Sequence, residues 1–111
     1  AISYFNKAIK IKPDFHKAWF TLGTAYEVDN NLDSAIIKYE KAIELNPGYT
    51  KAYSNLGNIR LIRKEYEEAK NTLLTAIQID PTFSDAYLRL GVVYSEQEWI
   101  RDDRQVTTKT R

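Results

Sequence analysis

The apolar and small residues of the chain recur with a period of 34 residues. Each of its three prolines, Pro13, Pro47 and Pro81, is followed nine residues later by a leucine–glycine pair. A unit of this length cannot bury its own apolar face, so neighbouring units must stack to form a common core. The periodicity therefore predicts a fold built from internal repeats.

Within one unit the spacing is helical. Trp19, Leu22, Gly23 and Tyr26 follow one another at i, i+3, i+4 and i+7, which places them on one face of a helix. The same spacing predicts six helices, over residues 1–12, 15–28, 32–45, 49–62, 66–79 and 83–97. Each proline follows a helix that it cannot continue.

Local signals support the predicted boundaries. Asp14 is a plausible N-cap for the second helix, and Asn30 and Asn31 tolerate the left-handed backbone of a tight turn. After residue 97 the pattern weakens. Trp99 and Ile100 could begin a further helix, whereas the polar residues 101–111 are compatible with a solvated, fraying helix or with a disordered tail.

The order aromatic, Leu-Gly-x-x-Tyr, Ala-x-x-x-aromatic, Ala and Pro resembles the tetratricopeptide repeat. The first copy is formed by Trp19, Leu22, Gly23, Tyr26, Ala35, Tyr39, Ala42 and Pro47. The second copy departs from the pattern at Arg60 and Leu73, and the third stops matching after Tyr94. The resemblance implies an all-α fold of antiparallel helix hairpins stacked into a right-handed solenoid. It also implies that glycine and alanine lie where helix backbones approach closely.

This resemblance divides the chain into a repeat domain, 1–100, and a polar segment, 101–111. The domain comprises the second helix of a partial repeat (1–13), repeat one (14–47), repeat two (48–81) and a partial repeat three (82–100). Because the chain has no methionine and starts within a repeat, we expect it to be part of a longer protein. Incomplete terminal repeats should leave Leu90, Val93 and Tyr94 partly bare, which favours self-association.

The composition argues against several classes of function. The chain has 16 basic and 15 acidic residues, a balance that gives no reason to expect nucleic acid or a membrane surface as partner. With no cysteine and a single histidine, His16, it lacks the residues for most metal sites and nucleophile–base pairs. We therefore expect no metal, no cofactor and no catalysis, and we expect His16 to be a surface residue. No apolar run approaches the ~20 residues of a membrane span.

The resemblance further implies a concave groove, lined by the first helix of each repeat, that binds a peptide or protein segment. Carried over position by position, the candidate groove residues are Lys17, Phe20, Thr24, Lys51, Asn55, Asn58, Leu88, Arg89 and Val92, with Ser54 at a further groove-facing position. Trp19 is expected to pack within the fold.

The resemblance implies two alternative binding modes. A clamp of lysine, asparagine and arginine holds a C-terminal carboxylate, but only Asn55 and Arg89 match it, and Asp85 would repel a carboxylate. An asparagine at the position of Asn55 can instead pair with a partner's peptide bonds, since an amide both donates and accepts.

Three other functions are compatible with the sequence. The segment could be a structural or self-assembling spacer, or the substrate-recruiting arm of a larger enzyme such as a glycosyltransferase. RNA binding, known for related helical-hairpin repeats, ranks last because no basic groove is evident.

Overall fold

The chain forms six α-helices in a computed structural model, which describes the backbone of residues 2–109 and the side chains of residues 2–100. The helices are α1 (Ile2–Ile11), α2 (His16–Val28), α3 (Leu32–Leu45), α4 (Thr50–Ile62), α5 (Tyr66–Ile79) and α6 (Ser84–Lys109). Each helix packs on the next along the chain, and α4 also contacts α6. The predicted all-α repeat architecture is confirmed, and the molecule is elongated, with extents of 62 × 29 × 18 Å.

Most helix bounds agree with the sequence pattern, but the predicted cap at Asp14 is wrong. The residue that caps α2 is Phe15, and it makes no side-chain capping bond. Instead, its carbonyl oxygen accepts the amide of Ala18 at 3.0 Å. Because α2 begins at His16, Asp14 lies one residue too early to reach the free amides of the first turn. Asn31, by contrast, caps α3, with its Oδ1 atom 3.4 Å from the amide of Ser34.

The turns inside the two complete repeats use the same backbone conformation. Asn30 has φ 59° and Lys64, one period later, has φ 63°. This left-handed conformation suits asparagine, as predicted for Asn30, but it is unfavourable for lysine. Position in the repeat, rather than residue type, fixes the conformation at Lys64.

The regular 34-residue spacing of glycine has a clear physical cause in two of the three repeats. A Cβ atom added to Gly23 would lie 2.7 Å from the ring of Tyr39, and one added to Gly57 would lie 2.7 Å from Leu73. Those residues belong to the second helix of the same repeat. Glycine therefore allows the two helices of each complete repeat to approach closely.

Among residues 2–100, much of the core lies in two apolar clusters. One is centred on Tyr39 and Ile59, between α3 and α4, and the other on Leu73 and Val93, between α5 and α6. Contrary to the sequence prediction, Leu90 and Val93 are buried, because α5 covers that side of α6. Of the three residues expected to be partly bare, only Tyr94 is exposed, at 45%.

Helix α6 is much longer than predicted. It continues as one helix to Lys109 and does not end at Gln97. The turn position of the third repeat, residues 97–99, does not explain this, because repeat two turns at residues 63–65 without asparagine, glycine or proline. The difference lies in the residues that follow: Asp103 stands where repeats one and two have a buried alanine, and Val106 is the one apolar residue of 101–111. Folding back would therefore bury little apolar surface. No separate helix therefore begins at Trp99. For residues 101–111 the sequence left open a solvated, fraying helix or a disordered tail; the backbone is helical as far as Lys109, and the side chains of residues 101–111 lie outside the described residues.

Among residues 2–109, none of the helices combines the length and the hydropathy needed to cross a membrane.

Candidate functional site

The nine candidate groove residues all lie on α2, α4 and α6. Four of them are exposed: Lys17, Lys51, Leu88 and Val92. The other five are half-buried: Phe20, Thr24, Asn55, Asn58 and Arg89. Four of the half-buried residues, Phe20, Thr24, Asn55 and Arg89, have specific partners within the fold, and those partners determine what each side chain can offer to a ligand.

Two of the candidates, Thr24 and Asn55, meet at the hydroxyl group of Tyr39. The Tyr39 ring is fully buried, and its hydroxyl donates to Oε1 of Glu27 at 2.7 Å. Asn55 donates from Nδ2 to the same hydroxyl at 3.3 Å, and Oγ1 of Thr24 lies 3.3 Å from it. Sequence reasoning missed this cluster, because no linear pattern shows that a core tyrosine reaches three residues on two other helices.

The phenol of Tyr39 stays protonated in this environment. Burial, together with the nearby carboxylate of Glu27, raises the pKa of Tyr39 to about 12, although the hydrogen bonds with Thr24 and Asn55 oppose the rise. The neutral hydroxyl therefore donates to Glu27 throughout the physiological pH range. It holds Glu27 and Asn55 in fixed positions beside the groove.

A second polar cluster joins α4 to α6. Ser54, which is fully buried, donates from Oγ to Oδ2 of Asp85 at 2.9 Å. Arg89 forms an ion pair with the same carboxylate, Nε to Oδ2 3.1 Å, and donates from Nη1 to the carbonyl oxygen of Ser54 at 3.2 Å. Ser54 was expected to face the groove, and that expectation is wrong, because Asp85 covers it.

This arrangement changes what Arg89 can do. Its guanidinium is already paired with Asp85 and anchored on α4. An incoming carboxylate would meet a guanidinium whose charge is already balanced by Asp85, and it would be repelled by the Asp85 carboxylate. The cluster therefore favours a structural role for Arg89 over capture of a terminal carboxylate.

Aromatic contacts explain why Phe20 and His16, near the start of α2, are half-buried. The Phe20 ring centroid lies 5.6 Å from that of Tyr39 and 5.1 Å from that of Tyr49. His16 meets Tyr49 edge-on at 4.9 Å, with its Nε2 atom 3.2 Å from Nδ2 of Asn46. His16 is thus half-buried at a contact between repeats and is not the surface residue that was expected. In the described part of the chain, no cluster of three side chains could hold a metal ion.

Trp19 packs within repeat one, as its position in the pattern predicted. Its Nε1 atom donates to the carbonyl oxygen of Pro13 at 2.8 Å, which fixes the ring. The ammonium groups of Lys38 and Lys41, both on α3, lie 5.3 and 5.9 Å from the ring centroid. Such distances allow cation–π attraction between the two helices of the repeat.

The apolar candidates Leu88 and Val92 lie in a large groove beside α6, of about 1000 Å³, which we name the α6 groove. Its walls include Tyr66, Tyr87, Leu88, Gly91, Val92 and Trp99. Leu88 and Trp99 are both 69% exposed. An exposed apolar surface of this kind is typical of a contact site.

Three family models match the chain. Two described as "Tetratricopeptide repeat" match residues 16–49 and 38–71, and one described as "TPR repeat" matches residues 57–98. Together they cover residues 16–98 without a gap. No curated protein matches the chain.

Several solved structures are similar to the chain over most of its length. MamA is 30% identical, with a TM-score of 0.77 over 87% of this chain and 57% of MamA. YrrB, described as a TPR protein with an unusual peptide-binding site, is 28% identical, with a TM-score of 0.81 over 88% of this chain and 50% of YrrB. The first TPR of Spaghetti (RPAP3), bound to the HSP90 peptide SRMEEVD, is 25% identical, with a TM-score of 0.82 over 87% of this chain and 77% of that structure.

The chain spans little more than half of MamA and half of YrrB. The similarity nevertheless includes every complete repeat, and the matched residues contain the helix pairs and the close-packed glycines described above. The chain belongs to the tetratricopeptide repeat family.

Proposed function

We propose that this chain binds an extended segment of a partner protein across α2, α4 and α6. The peptide-binding relatives support a protein-interaction role in general. For this chain the proposal rests mainly on Asn55, which is half-buried and held in place by Tyr39.

Asn55 has hydrogen-bonding capacity left over for a ligand. An asparagine amide offers two N–H donors and one oxygen acceptor. One N–H is engaged by the Tyr39 hydroxyl at 3.3 Å; within residues 2–100 this is the one side-chain hydrogen bond that Asn55 makes. The second N–H and the oxygen match the carbonyl and amide of a peptide bond. Because Tyr39 already orders the side chain, binding costs less conformational entropy.

The charges on the three helices indicate which segment fits. Lys17 and Lys51 occupy the same position in repeats one and two, and both are exposed. The third repeat has Asp85 there, paired with Arg89. We therefore propose a segment with acidic side chains opposite the two lysines, bound through its backbone and without capture of a terminal carboxylate.

The peptide SRMEEVD is a suitable probe, prepared once with a free C-terminal carboxylate and once as the amide. We expect calorimetric titration to give similar dissociation constants for both forms. Asn55→Ala should weaken both by about tenfold, since it removes two hydrogen bonds of about 0.5–1.5 kcal/mol each. Failure of both forms to bind would contradict the proposal, and binding of the free acid alone would restore the carboxylate clamp.

The matched control is Tyr39→Phe. This change removes the hydroxyl that orients Asn55 but leaves its amide in the groove. If Asn55 only supports Tyr39, the two variants should lose the same stability and neither should lose affinity. The proposal expects Asn55→Ala to lose clearly more affinity than Tyr39→Phe.

We also propose that the segment has no catalytic activity of its own and that its partner is a protein rather than a nucleic acid. Support comes from the sequence, which has no cysteine, one histidine and a formal net charge of +1.

A further inference from the structure

We propose that Glu27 binds an arginine side chain of the partner segment, beside the peptide bond that Asn55 holds. This inference rests on the proposed function and deepens it, because it assigns the segment a basic residue in addition to the acidic ones opposite Lys17 and Lys51. Glu27, Tyr39 and Asn55 lie on α2, α3 and α4, which belong to the two complete repeats. Three consecutive helices therefore form the site.

The carboxylate of Glu27 is held in a defined position, but no cation lies beside it. The side chain is half-buried, and its Oε1 atom accepts the hydroxyl of Tyr39 at 2.7 Å. The ion pairs found among residues 2–100 connect other charged side chains, and none of them includes Glu27. A partly desolvated charge gains from an opposite charge nearby. The partner segment can supply that charge.

The position of Glu27 in α2 is unfavourable for an acidic residue. Helix α2 ends at Val28, one residue later, and the negative end of the helix dipole disfavours a carboxylate there. Helix α4 has the basic Arg60 in its last turn, whereas α2 has no basic residue in its last turn. In repeat two, Leu61 occupies the position of Glu27 and packs against the core. The helix itself thus does not require a glutamate at this position.

The hydroxyl of Tyr39 connects Glu27 with Asn55. Nδ2 of Asn55 donates to the hydroxyl oxygen at 3.3 Å, and the hydroxyl in turn donates to Glu27. The amide on α4 and the carboxylate on α2 therefore lie on either side of one hydroxyl group. A peptide bond paired with Asn55 brings the neighbouring side chains of the segment within reach of Glu27.

The charges on α2 also indicate how the side chains of the segment are arranged. Four residues share one face of this helix, at i, i+3, i+7 and i+10: Lys17, Phe20, Thr24 and Glu27. Lys17 and Glu27 are separated by about 15 Å along the axis, since a helix rises about 1.5 Å per residue. Successive side chains of an extended segment point to opposite sides. Acidic side chains should therefore point toward Lys17 and the arginine toward Glu27.

Arginine matches this carboxylate better than lysine does. A guanidinium is planar and can donate to both oxygens of a carboxylate at once, whereas the lysine ammonium acts as a point charge. Oε1 of Glu27 already accepts one hydrogen bond, and a carboxylate oxygen has a second lone pair. A guanidinium can therefore bind both oxygens without displacing the Tyr39 hydroxyl.

A double-mutant cycle tests this pairing. The probe is the amidated peptide SRMEEVD, compared with SQMEEVD and SKMEEVD, in which glutamine or lysine replaces the arginine. Each peptide is titrated by calorimetry into the wild type and into Glu27→Gln, which keeps an oxygen for the Tyr39 hydroxyl. We expect SQMEEVD to bind the wild type about tenfold more weakly than SRMEEVD, because it lacks the charge-assisted pair, and SKMEEVD to be intermediate. SRMEEVD and SQMEEVD should bind Glu27→Gln with the same affinity.

Asp29→Asn is the matched control. It removes an equal charge from the exposed C-cap residue of α2, two positions after Glu27. The ratio of the SQMEEVD and SRMEEVD dissociation constants should therefore stay at its wild-type value in Asp29→Asn.

Equal affinities of the wild type for SRMEEVD and SQMEEVD overturn the inference. The same holds if Glu27→Gln binds both peptides more weakly and still separates them by the wild-type ratio, because Glu27 would then only orient Tyr39 and Asn55. Binding of SRMEEVD that depends on Asn55 but not on the arginine contradicts this inference and supports the proposed function. Absence of binding by every peptide contradicts both.

Discussion

The complete repeats and the third repeat contain the same leucine–glycine pair but place it in different environments. Gly57 is buried under Leu73, whereas Gly91 is exposed on the wall of the α6 groove. The difference arises after residue 96, where α6 continues instead of turning back. The comparison shows that a repeat signature specifies a surface for close helix packing, while the following turn decides whether the chain covers that surface itself.

The two complete repeats also differ from each other. Tyr39 and Leu73 occupy equivalent positions over their glycines, but only Tyr39 has a hydroxyl. Repeat one therefore has a polar cluster inside its core, connected to Asn55 on the next repeat. Repeat two has an apolar contact there and places its polar cluster between α4 and α6. Equivalent positions can thus differ in chemistry while the backbone arrangement is the same.

The largest expected effect is that of enlarging a covered glycine. Gly57→Leu would place a Cβ atom 2.7 Å from Leu73 and should force α4 and α5 apart. We expect a loss of more than about 3 kcal/mol in the free energy of unfolding, measured by urea denaturation. Gly91→Ala is the control, and it should be neutral or stabilise by up to about 1 kcal/mol. Equal losses for both variants would contradict the difference between the repeats.

A smaller effect is expected from alkaline pH acting on Tyr39. The phenol ionises near 10 in the unfolded chain and at a pKa of about 12 in the folded one. Its contribution to stability is therefore complete below pH 10 and is lost as the pH rises through 12. The difference corresponds to about 2–3 kcal/mol.

The matched variant for this prediction is Tyr39→Phe. Burial also raises the pKa values of Tyr49 and Tyr66, so the wild type alone would not isolate Tyr39. Chemical denaturation at pH 9 to 12 should show a steeper loss of stability for the wild type than for the variant. Parallel pH profiles would mean that the Tyr39 hydroxyl is not protected in solution.

The smallest expected effect concerns the turns. Lys64 adopts φ 63°, which costs lysine more than it costs asparagine at the equivalent Asn30, φ 59°. Lys64→Gly should raise the free energy of unfolding by at most about 1 kcal/mol, because strain relief is partly offset by the entropy of the glycine. Asn30→Gly should change it less. A loss of stability for Lys64→Gly in thermal denaturation would show that the lysine side chain has a stabilising contact.

Much of the fold could be predicted from the sequence. The bounds of α3 and α5 coincide with the apolar pattern, and the glycines of repeats one and two lie at close helix contacts, as the repeat implied. The continuation of α6 was missed because the end of the helix was placed by analogy with the first two repeats, although Asp103 stands where those repeats have a buried alanine. The cap at Asp14 failed for a related reason: capping depends on a position accurate to one residue, which periodicity does not provide.

The candidate site was less predictable than the fold. The sequence located nine residues on three helices, but it could not show that Ser54 is buried beneath Asp85 or that Arg89 donates to the carbonyl oxygen of Ser54. Those contacts join residues 31 and 35 positions apart in different repeats. The Asp85–Arg89 ion pair, in contrast, lies within one helix at i and i+4, a spacing that the sequence does show. The binding role of the nine residues remains a prediction, and the structure sharpens it by showing that Asn55 is held by Tyr39.

The sequence by itself determined the repeat length, the helices of the complete repeats and the positions where backbones approach, because each follows from local spacing and side-chain size. Only the tertiary structure decided which polar groups are already paired and which surfaces are uncovered. The physical reason is that hydrogen bonds, pKa shifts and exposure depend on neighbours brought together by packing. Tyr39 and Leu73, or Gly57 and Gly91, are equivalent in the repeat pattern and differ in what surrounds them.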